Sequence, residues 1–216
     1  MSSEILHDHF LKVANLYSQI TPGENLSSEA DRTVSEIELT EEISTTRNSL
    51  RRTISLLDRP RPIIVKTGGP KPGWAHSYYV SFHDPQNSSG PTEGFYPAFL
   101  VSVDQKRCWL TVMIAAGNVG ISGRGGWSQP RGKQLRERAE FLGRNLIGEN
   151  GWTKGAITLG SDGASLHLGA GSNRSAAKGY ECGSIIAKQF DPQEPPNDLA
   201  DWLDDAFGFY DSIFRG

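Results

Sequence analysis

The residue types that usually perform catalysis are present in this sequence, but they do not fall at catalytic spacings. None of the five histidines has a cysteine or carboxylate at metal-ligand spacing: His7, His9, His76, His83 and His167. His83 and Asp84 are adjacent in a polar stretch, where neighbours seldom act as a base and the group that orients it. GxSxG, HExxH and CxxC patterns and common nuclease signatures are absent. The sequence favours a binding module without a cofactor over an enzyme.

A second chemistry, the stacking of planar groups, is better represented. Residues 74–109 contain eight aromatic side chains: Trp74, Tyr78, Tyr79, Phe82, Phe95, Tyr96, Phe99 and Trp109. The surrounding pattern predicts strands over residues 78–82, 95–103 and 107–115, with a long polar loop over 83–94 and a turn over 104–106. Aromatic strand residues are typical of an ordinary core, and they are equally able to line a pocket.

Charge is unevenly distributed along the chain. The net charge is −3, yet residues 61–190 carry 15 basic and 8 acidic side chains. Residues 1–60 carry 6 basic and 10 acidic side chains, and residues 191–216 carry 1 and 7. A basic middle between acidic ends is able to bind a polyanion through one face. Because many enzymes have a charge asymmetry of this size, charge alone leaves the partner open.

Helices are predicted before and after the central strands. Residues 3–20 and 28–58 have apolar side chains at helical spacing, and the two prolines within residues 59–62 end the second helix. Residues 131–147 form a further predicted helix. The closing helix follows Pro195 and Pro196, and its wide apolar stripe indicates packing on a sheet.

The remaining strands complete the predicted fold. They are short and lie at 63–65, 156–159, 166–168 and 180–190. Their alternation with helices predicts an α+β fold with a central, mostly antiparallel twisted sheet flanked by helices. We divide the chain into a helical N-terminal segment, residues 1–60, and an α+β recognition domain, residues 61–216.

Two glycine-rich stretches and one basic helix contain candidate contacts to a polyanion. Residues 67–74 lack the spacing of a P-loop, and residues 117–126 are predicted to be a flexible surface loop. The helix over 131–147 carries several basic residues that suit phosphate contacts or a solvated helix surface. The residues predicted to contact a DNA backbone or groove are Lys66, Lys71, Trp74, Arg124, Arg131 and Lys133.

The sequence contains no predicted membrane segment. No apolar run approaches the roughly 18 residues that a membrane-spanning helix needs. The first ten residues are acidic and do not have the pattern of a secretory signal.

Cys108 and Cys182 do not form a disulfide framework, and we expect buried thiols in a cytoplasmic protein.

The order of several motifs resembles a known family. GWAHSYYVSFHDP is followed by GFYPAFLVSVDQKRCWLTVMIAAG, RGKQLRERAEFL, GYECGSIIAKQFD and a closing helix that ends in FYDSIF. This order is similar to the N-terminal specificity domain of the McrB family of modification-dependent restriction systems, the MrcB-like domain. The resemblance covers residues 62–214 and extends more weakly to the N-terminal helices. Its most specific parts are Gly94 to Pro97 and Tyr180 to Gly183.

The resemblance implies recognition of a modified cytosine, 5-methylcytosine or a relative, in double-stranded DNA. Family members rotate the modified base into an aromatic pocket and work with a separate nuclease or ATPase domain or subunit. Carried onto this sequence, the pocket residues are Tyr79, where the family often has Trp, Tyr96 and Leu100. The family position that takes part in flipping falls near Lys71 here, which departs from the aromatic residue found in relatives.

Two other functions remain open from the sequence. One is a DNA-processing nuclease whose active site is formed by His83, Asp84 and Glu93. The other is a protein–protein docking module of a restriction complex, which would use the acidic closing helix and the glycine-rich loop. Cleavage by this chain alone would indicate the first function, and absence of DNA binding near physiological salt would indicate the second.

Overall fold

The computed structural model describes residues 8, 11–12, 38, 41–45, 47–48, 50–51, 54, 59, 62–68, 79–101, 107–121, 126–159 and 172–215. A six-stranded sheet lies at its centre, and every neighbouring pair of strands is antiparallel. In spatial order the strands are β1 (Ile64–Gly68), β2 (Tyr79–His83), β3 (Phe95–Val101), β4 (Cys108–Ile114), β6 (Ser184–Phe190) and β5 (Thr153–Lys154). This arrangement confirms the predicted α+β class with an antiparallel sheet.

Three α-helices and one short 3₁₀ helix accompany the sheet: α1 (Gln129–Leu142), α2 (Ser172–Gly183), α3 (Leu199–Arg215) and the 3₁₀ helix (Ala116–Val119). The hydroxyl of Ser128 caps the start of α1 by accepting a hydrogen bond from the Arg131 backbone N–H. The predicted helix over 131–147 therefore exists, but it begins at Gln129 and ends at Leu142.

The main hydrophobic core lies on one face of the sheet. Alternate strand residues, among them Phe82, Phe99 and Leu110, point to this face and are fully buried. Helix α3 covers them with its apolar stripe, including Phe207, whose ring meets that of Phe82 edge-on at 6.0 Å between centroids. Burial of each such side chain stabilises the fold by roughly 1.5–3 kcal/mol. The closing helix is therefore a core element, as its periodicity predicts.

The described part of the N-terminal segment packs on the same core. Residues 41–45, 47–48, 50–51 and 54 are helical, and Ile43, Leu50 and Ile54 belong to the main hydrophobic cluster. Arg59 donates a hydrogen bond of 2.8 Å to Asp211, and its guanidinium lies 4.1 Å from the centre of the Phe207 ring. Most of the helices predicted over 3–20 and 28–58 lie outside the described residues.

Three sequence-based boundaries are wrong. Residues 180–183 form the last turn of α2, and the strand predicted over 180–190 begins only at Ser184. Residues 156–159 are not a strand; the local strand is Thr153–Lys154. The start of the predicted flexible loop over 117–126 is a 3₁₀ helix in which Val119 is buried. The predicted strand over 166–168 lies outside the described residues.

Close packing explains the first of these errors. A β-carbon added to Gly183 would lie 2.5 Å from the carbonyl oxygen of Ile114, and one added to Gly179 would lie 2.6 Å from the β-carbon of Ala116. The two glycines let α2 approach the end of β4 closely before the chain enters β6. Because this contact is between distant parts of the chain, the local β-propensity of the following residues does not reveal where the helix ends.

Candidate functional site

The second face of the sheet carries the candidate pocket, and we call it the tyrosine face. The strand register shows which side chains lie on this face. Tyr79 of β2 pairs with Leu100 of β3, which pairs with Trp109 of β4. Because directly paired residues point to the same side of a sheet, these three bulky side chains form one row across the tyrosine face.

The next row on this face consists of small side chains. Ser81 pairs with Ala98, Ala98 with Thr111, and Thr111 with Ala187. Each of these four residues is no more than 1% exposed. This row of short side chains lies beside the row of long ones, and we call Ser81 and Ala98 the floor of the candidate pocket. Ala98 and Ala187 also pack in the buried cluster that contains Ile157 and Leu159.

His83 and Tyr96 close the far end of this floor. The centre of the His83 ring lies 4.4 Å from that of Tyr96, and Tyr96 pairs with Met113 on β4. The α-carbons of Tyr79 and His83 are four residues apart on one strand, which corresponds to about 13 Å. The row of small side chains therefore lies between bulky residues at both ends.

Helix α2 contributes a further aromatic residue to the tyrosine face. The ring of Tyr180 meets that of Tyr79 edge-on, with 6.1 Å between centroids and 64° between planes. Both rings are partly exposed, whereas the floor beneath the tyrosine face is buried. In the sequence, Tyr180 stands out only as part of a family motif, and its predicted place in a strand is wrong. The signal that could have found it is the Gly179 and Gly183 pair, which positions the helix end.

The three tyrosines of this site are uncharged. Burial raises the pKa of Tyr79, and burial together with the neighbouring Tyr79 raises the pKa of Tyr180. Burial raises the pKa of Tyr96 well above its usual value, and Tyr180 and Tyr79 add to the effect. Neutral phenol rings present large apolar faces, on which a planar group is able to stack.

Tyr96 is an inner wall of the site. It is 1% exposed, and its hydroxyl donates a 2.8 Å hydrogen bond to the carbonyl oxygen of Pro91. Leu100 is equally buried at 1% exposure. Gly94 immediately precedes β3 and has a φ of 70°, a backbone conformation that explains the glycine of the motif at Gly94 to Pro97.

His83 is a neutral, fully hydrogen-bonded imidazole. Its Nδ1 lies 2.7 Å from the Ser88 hydroxyl, and its Nε2 lies 2.8 Å from the Ser81 hydroxyl. Burial, assisted by the positive charge of Lys66, lowers the pKa of His83 from 6.5 to about 4. His83 is therefore uncharged at physiological pH and is part of the polar wall of the site.

A segment after β5 covers the other side of the tyrosine face. Ile157 and Leu159 are buried in the same hydrophobic cluster as Tyr96 and Leu100. The indole N–H of Trp109 donates to the carbonyl oxygen of Thr158 at 3.2 Å. The backbone N–H of Leu159 donates to the Glu181 carboxylate at 2.6 Å. These bonds fix the segment between β4 and α2, so the site is enclosed on that side.

The predicted DNA-contacting residues fall in different places. Lys66 is exposed on β1 and pairs with Ser81, so its side chain projects from the tyrosine face beside the pocket floor. Arg131 donates to the carbonyl oxygens of Gly120 and Gly126 at 3.3 and 2.8 Å and closes the loop between them. Lys71, Trp74 and Arg124 lie outside the described residues.

Lys133 lies on the exposed surface of α1. Its ammonium is 3.8 Å from the Glu137 carboxylate one helical turn along, and both side chains are exposed. Such pairs contribute only about 0.3–0.5 kcal/mol. Lys133 is therefore able to exchange its partner for a phosphate at low cost.

The residues of the alternative nuclease site have structural partners. Asp84 accepts a 3.0 Å hydrogen bond from the Gln86 backbone N–H. The Glu93 carboxylate accepts hydrogen bonds from both the backbone N–H and the hydroxyl of Ser89. Among the described residues, no group of three or more histidine, cysteine or acidic side chains is placed to hold a metal ion.

The described residues form an α+β domain in which Tyr79, Tyr96 and Tyr180 lie on one face of the sheet. A family model described as "MrcB-like, N-terminal domain" matches residues 13–214, and the chain belongs to this family. Membership connects the chain with DNA binding in McrB-type restriction systems that contain further subunits. No curated protein and no solved structure matches the chain.

Within the described residues, no helix combines the length and the apolar character needed to cross a membrane.

Proposed function

We propose that this chain is a DNA-binding specificity domain that recognises a modified cytosine in double-stranded DNA. The modified base leaves the helix and enters the pocket of the tyrosine face. Cleavage is carried out by a separate nuclease or ATPase-dependent partner. The observation that supports this proposal is the pair of partly exposed rings, Tyr79 and Tyr180, above a buried floor of small side chains.

The dimensions of the ring pair suit a stacked base. A base between two parallel rings needs roughly 7 Å, twice the stacking distance of about 3.4 Å found in DNA. The Tyr79 and Tyr180 centroids are already 6.1 Å apart, but their planes are inclined by 64°. A rotation of either ring, with a small separation, converts the edge-on contact into two parallel faces around the base.

The energetics of the proposal are balanced. Removing a base from the stack costs a few kcal/mol. Stacking of a base on aromatic side chains returns about 1–3 kcal/mol. Lysine and arginine contacts to phosphates supply the larger part of the affinity, and Lys66 is an exposed cation on the same face as the pocket.

Leu100 and Tyr96 form the apolar interior that would contact the base modification. A single methyl group contributes about 0.8 kcal/mol when it is buried. Discrimination of 5-methylcytosine from cytosine by apolar contact alone is thus a few-fold. Stronger discrimination needs close contact on several sides, and the burial of Leu100 and Tyr96, each 1% exposed, supports walls of this kind.

Equilibrium binding to matched duplexes tests the proposal. The duplexes carry cytosine, 5-methylcytosine, 5-hydroxymethylcytosine or N6-methyladenine at one position, at about 150 mM salt. We expect preference for one modified cytosine, lost in Tyr79→Ala and Tyr180→Ala. Phe141→Ala is the matched control, because Phe141 is an aromatic residue that is 62% exposed on α1. Equal affinity for all four duplexes would contradict the proposal.

A further inference from the structure

A directional chain of hydrogen bonds ends at the pocket floor. The Ser88 hydroxyl donates its single proton to the carbonyl oxygen of Gly90 at 2.8 Å. A carbonyl oxygen is only an acceptor, so this bond has one possible direction. The Ser88 oxygen must then accept the 2.7 Å hydrogen bond from His83, which places a proton on His83 Nδ1.

The same logic fixes the hydroxyl of Ser81. A neutral imidazole with its proton on Nδ1 has a bare Nε2, which accepts. The Ser81 hydroxyl, 2.8 Å from Nε2, therefore donates its proton to His83. Its lone pairs are left for another donor, and within the described part of the chain Ser81 has no second hydrogen-bond partner. The floor of the pocket thus presents a hydrogen-bond acceptor.

We propose that Ser81 accepts a hydrogen bond from the exocyclic amino group of the flipped cytosine and thereby excludes thymine. This inference rests on the proposed function. Cytosine carries an amino donor at C4, whereas thymine carries a carbonyl acceptor at that position. Because thymine and 5-methylcytosine have the same methyl group at C5, apolar contacts with Leu100 and the tyrosine rings do not separate them.

His83 is a positioning residue in this arrangement. Its two ring nitrogens bond to Ser88 and Ser81, so it makes no hydrogen bond to the base and sets the direction of the Ser81 hydroxyl. Ser81 and Ala98 are adjacent on the floor, and Tyr79 and Leu100 form the row beside them. In the proposed arrangement, a pyrimidine stacked against Tyr79 has its edge above Ser81. Thymine would place an acceptor opposite an acceptor at a buried floor, and that mismatch is costly.

Binding to three duplexes tests the inference in the wild-type chain. Each duplex has one pyrimidine opposite an abasic site, so that no base pair must be broken: 5-methylcytosine, thymine, or 5-methylpyrimidin-2-one, which has neither donor nor acceptor at C4. We expect 5-methylcytosine to bind about ten-fold more tightly than 5-methylpyrimidin-2-one, and thymine to bind most weakly. Equal affinity for the three duplexes would overturn the inference, whatever the variants show.

Two variants identify the residues. Ser81→Ala removes the acceptor, and its affinities for 5-methylcytosine and 5-methylpyrimidin-2-one should become equal. Ser88→Ala removes the acceptor of His83 Nδ1–H and allows the other tautomer, so discrimination against thymine should fall. Ser184→Ala is the matched control, because Ser184 is also fully buried and bonds to Thr111 at 3.0 Å, outside this chain of hydrogen bonds. Unchanged discrimination in Ser81→Ala would overturn the inference.

The outcomes separate the inference from the function on which it rests. If the wild-type chain binds all four paired duplexes with equal affinity, the proposed function fails. If it prefers a modified cytosine there but binds thymine and 5-methylcytosine equally opposite an abasic site, only the role of Ser81 fails.

Discussion

Tyr180 of helix α2 meets Tyr79 of strand β2 edge-on, with ring centroids 6.1 Å apart, above a floor formed by Ser81 and Ala98. The pair unites two distant parts of the chain at one site. Tyr79 is fixed by the strand register, whereas Tyr180 is fixed by the close approach of a helix end to β4. The relationship predicts that both rings contribute to ligand binding, although only one lies in the sheet.

Replacement of Tyr180 should weaken binding to modified DNA. Loss of one stacking face in Tyr180→Ala is expected to cost about 1–3 kcal/mol, or roughly five- to 150-fold in dissociation constant. Tyr180→Phe retains the ring and should stay within about two-fold of the wild type. Fluorescence anisotropy with a labelled duplex measures both variants. A loss of similar size in Tyr180→Phe would show that the hydroxyl, and not the ring face, provides the interaction.

The position of α2 depends on a glycine. A β-carbon at residue 179 would lie 2.6 Å from that of Ala116, so Gly179→Ala should destabilise the fold by about 1–3 kcal/mol through overpacking. Gly208 lies in α3, where an added β-carbon would meet nothing within 4 Å. Gly208→Ala should stabilise the protein by roughly 0.5–1 kcal/mol, because alanine favours helix. Urea denaturation measures the change in the free energy of unfolding for each variant, and the two changes should have opposite signs.

The buried His83 should make stability dependent on pH. Its pKa is 6.5 in the unfolded chain and about 4 in the folded one, so between these values the unfolded state binds more protons. The contribution of His83 to the free energy of unfolding is fully present above pH 6.5 and declines as the pH falls towards 4. The loss is roughly 3 kcal/mol in all.

Comparison with His83→Gln isolates this contribution. Acidic residues titrate in both proteins, so their effect cancels in the comparison. The denaturation midpoints at pH 7 and pH 4.5 should therefore differ more in the wild type, which also protonates His83, than in the variant. If stability depends on pH in the same way in the two proteins, protonation of His83 does not destabilise the folded state.

Lys66 should contribute an electrostatic term to DNA binding. It is exposed beside the pocket on edge strand β1. If it neutralises one phosphate, Lys66→Ala should reduce the slope of log affinity against log salt by about one, equally for modified and unmodified duplexes. Lys66→Arg keeps the charge and should retain the slope. A change confined to modified DNA would place Lys66 at the base instead of the backbone.

The sequence by itself determined the main layers of this protein. The pattern of residues predicted the three central strands over 78–82, 95–103 and 107–115, and the helical stripe of residues 199–214 predicted a helix that packs on the sheet. These features are local, because they depend on residues within one strand or one helix. The order of motifs along the chain was sufficient for the family resemblance, which the family match confirms.

Only the tertiary structure decided how the site is assembled. The register that pairs Ser81 with Ala98, the contact of Tyr180 with Tyr79 and the use of Arg131 to close a loop join residues that are distant in sequence. Such contacts depend on close packing at Gly179 and on hydrogen-bond partners that no spacing rule predicts. The polarity of the pocket floor has the same origin, because the direction of the Ser81 hydroxyl is set by a carbonyl oxygen in the loop that follows β2.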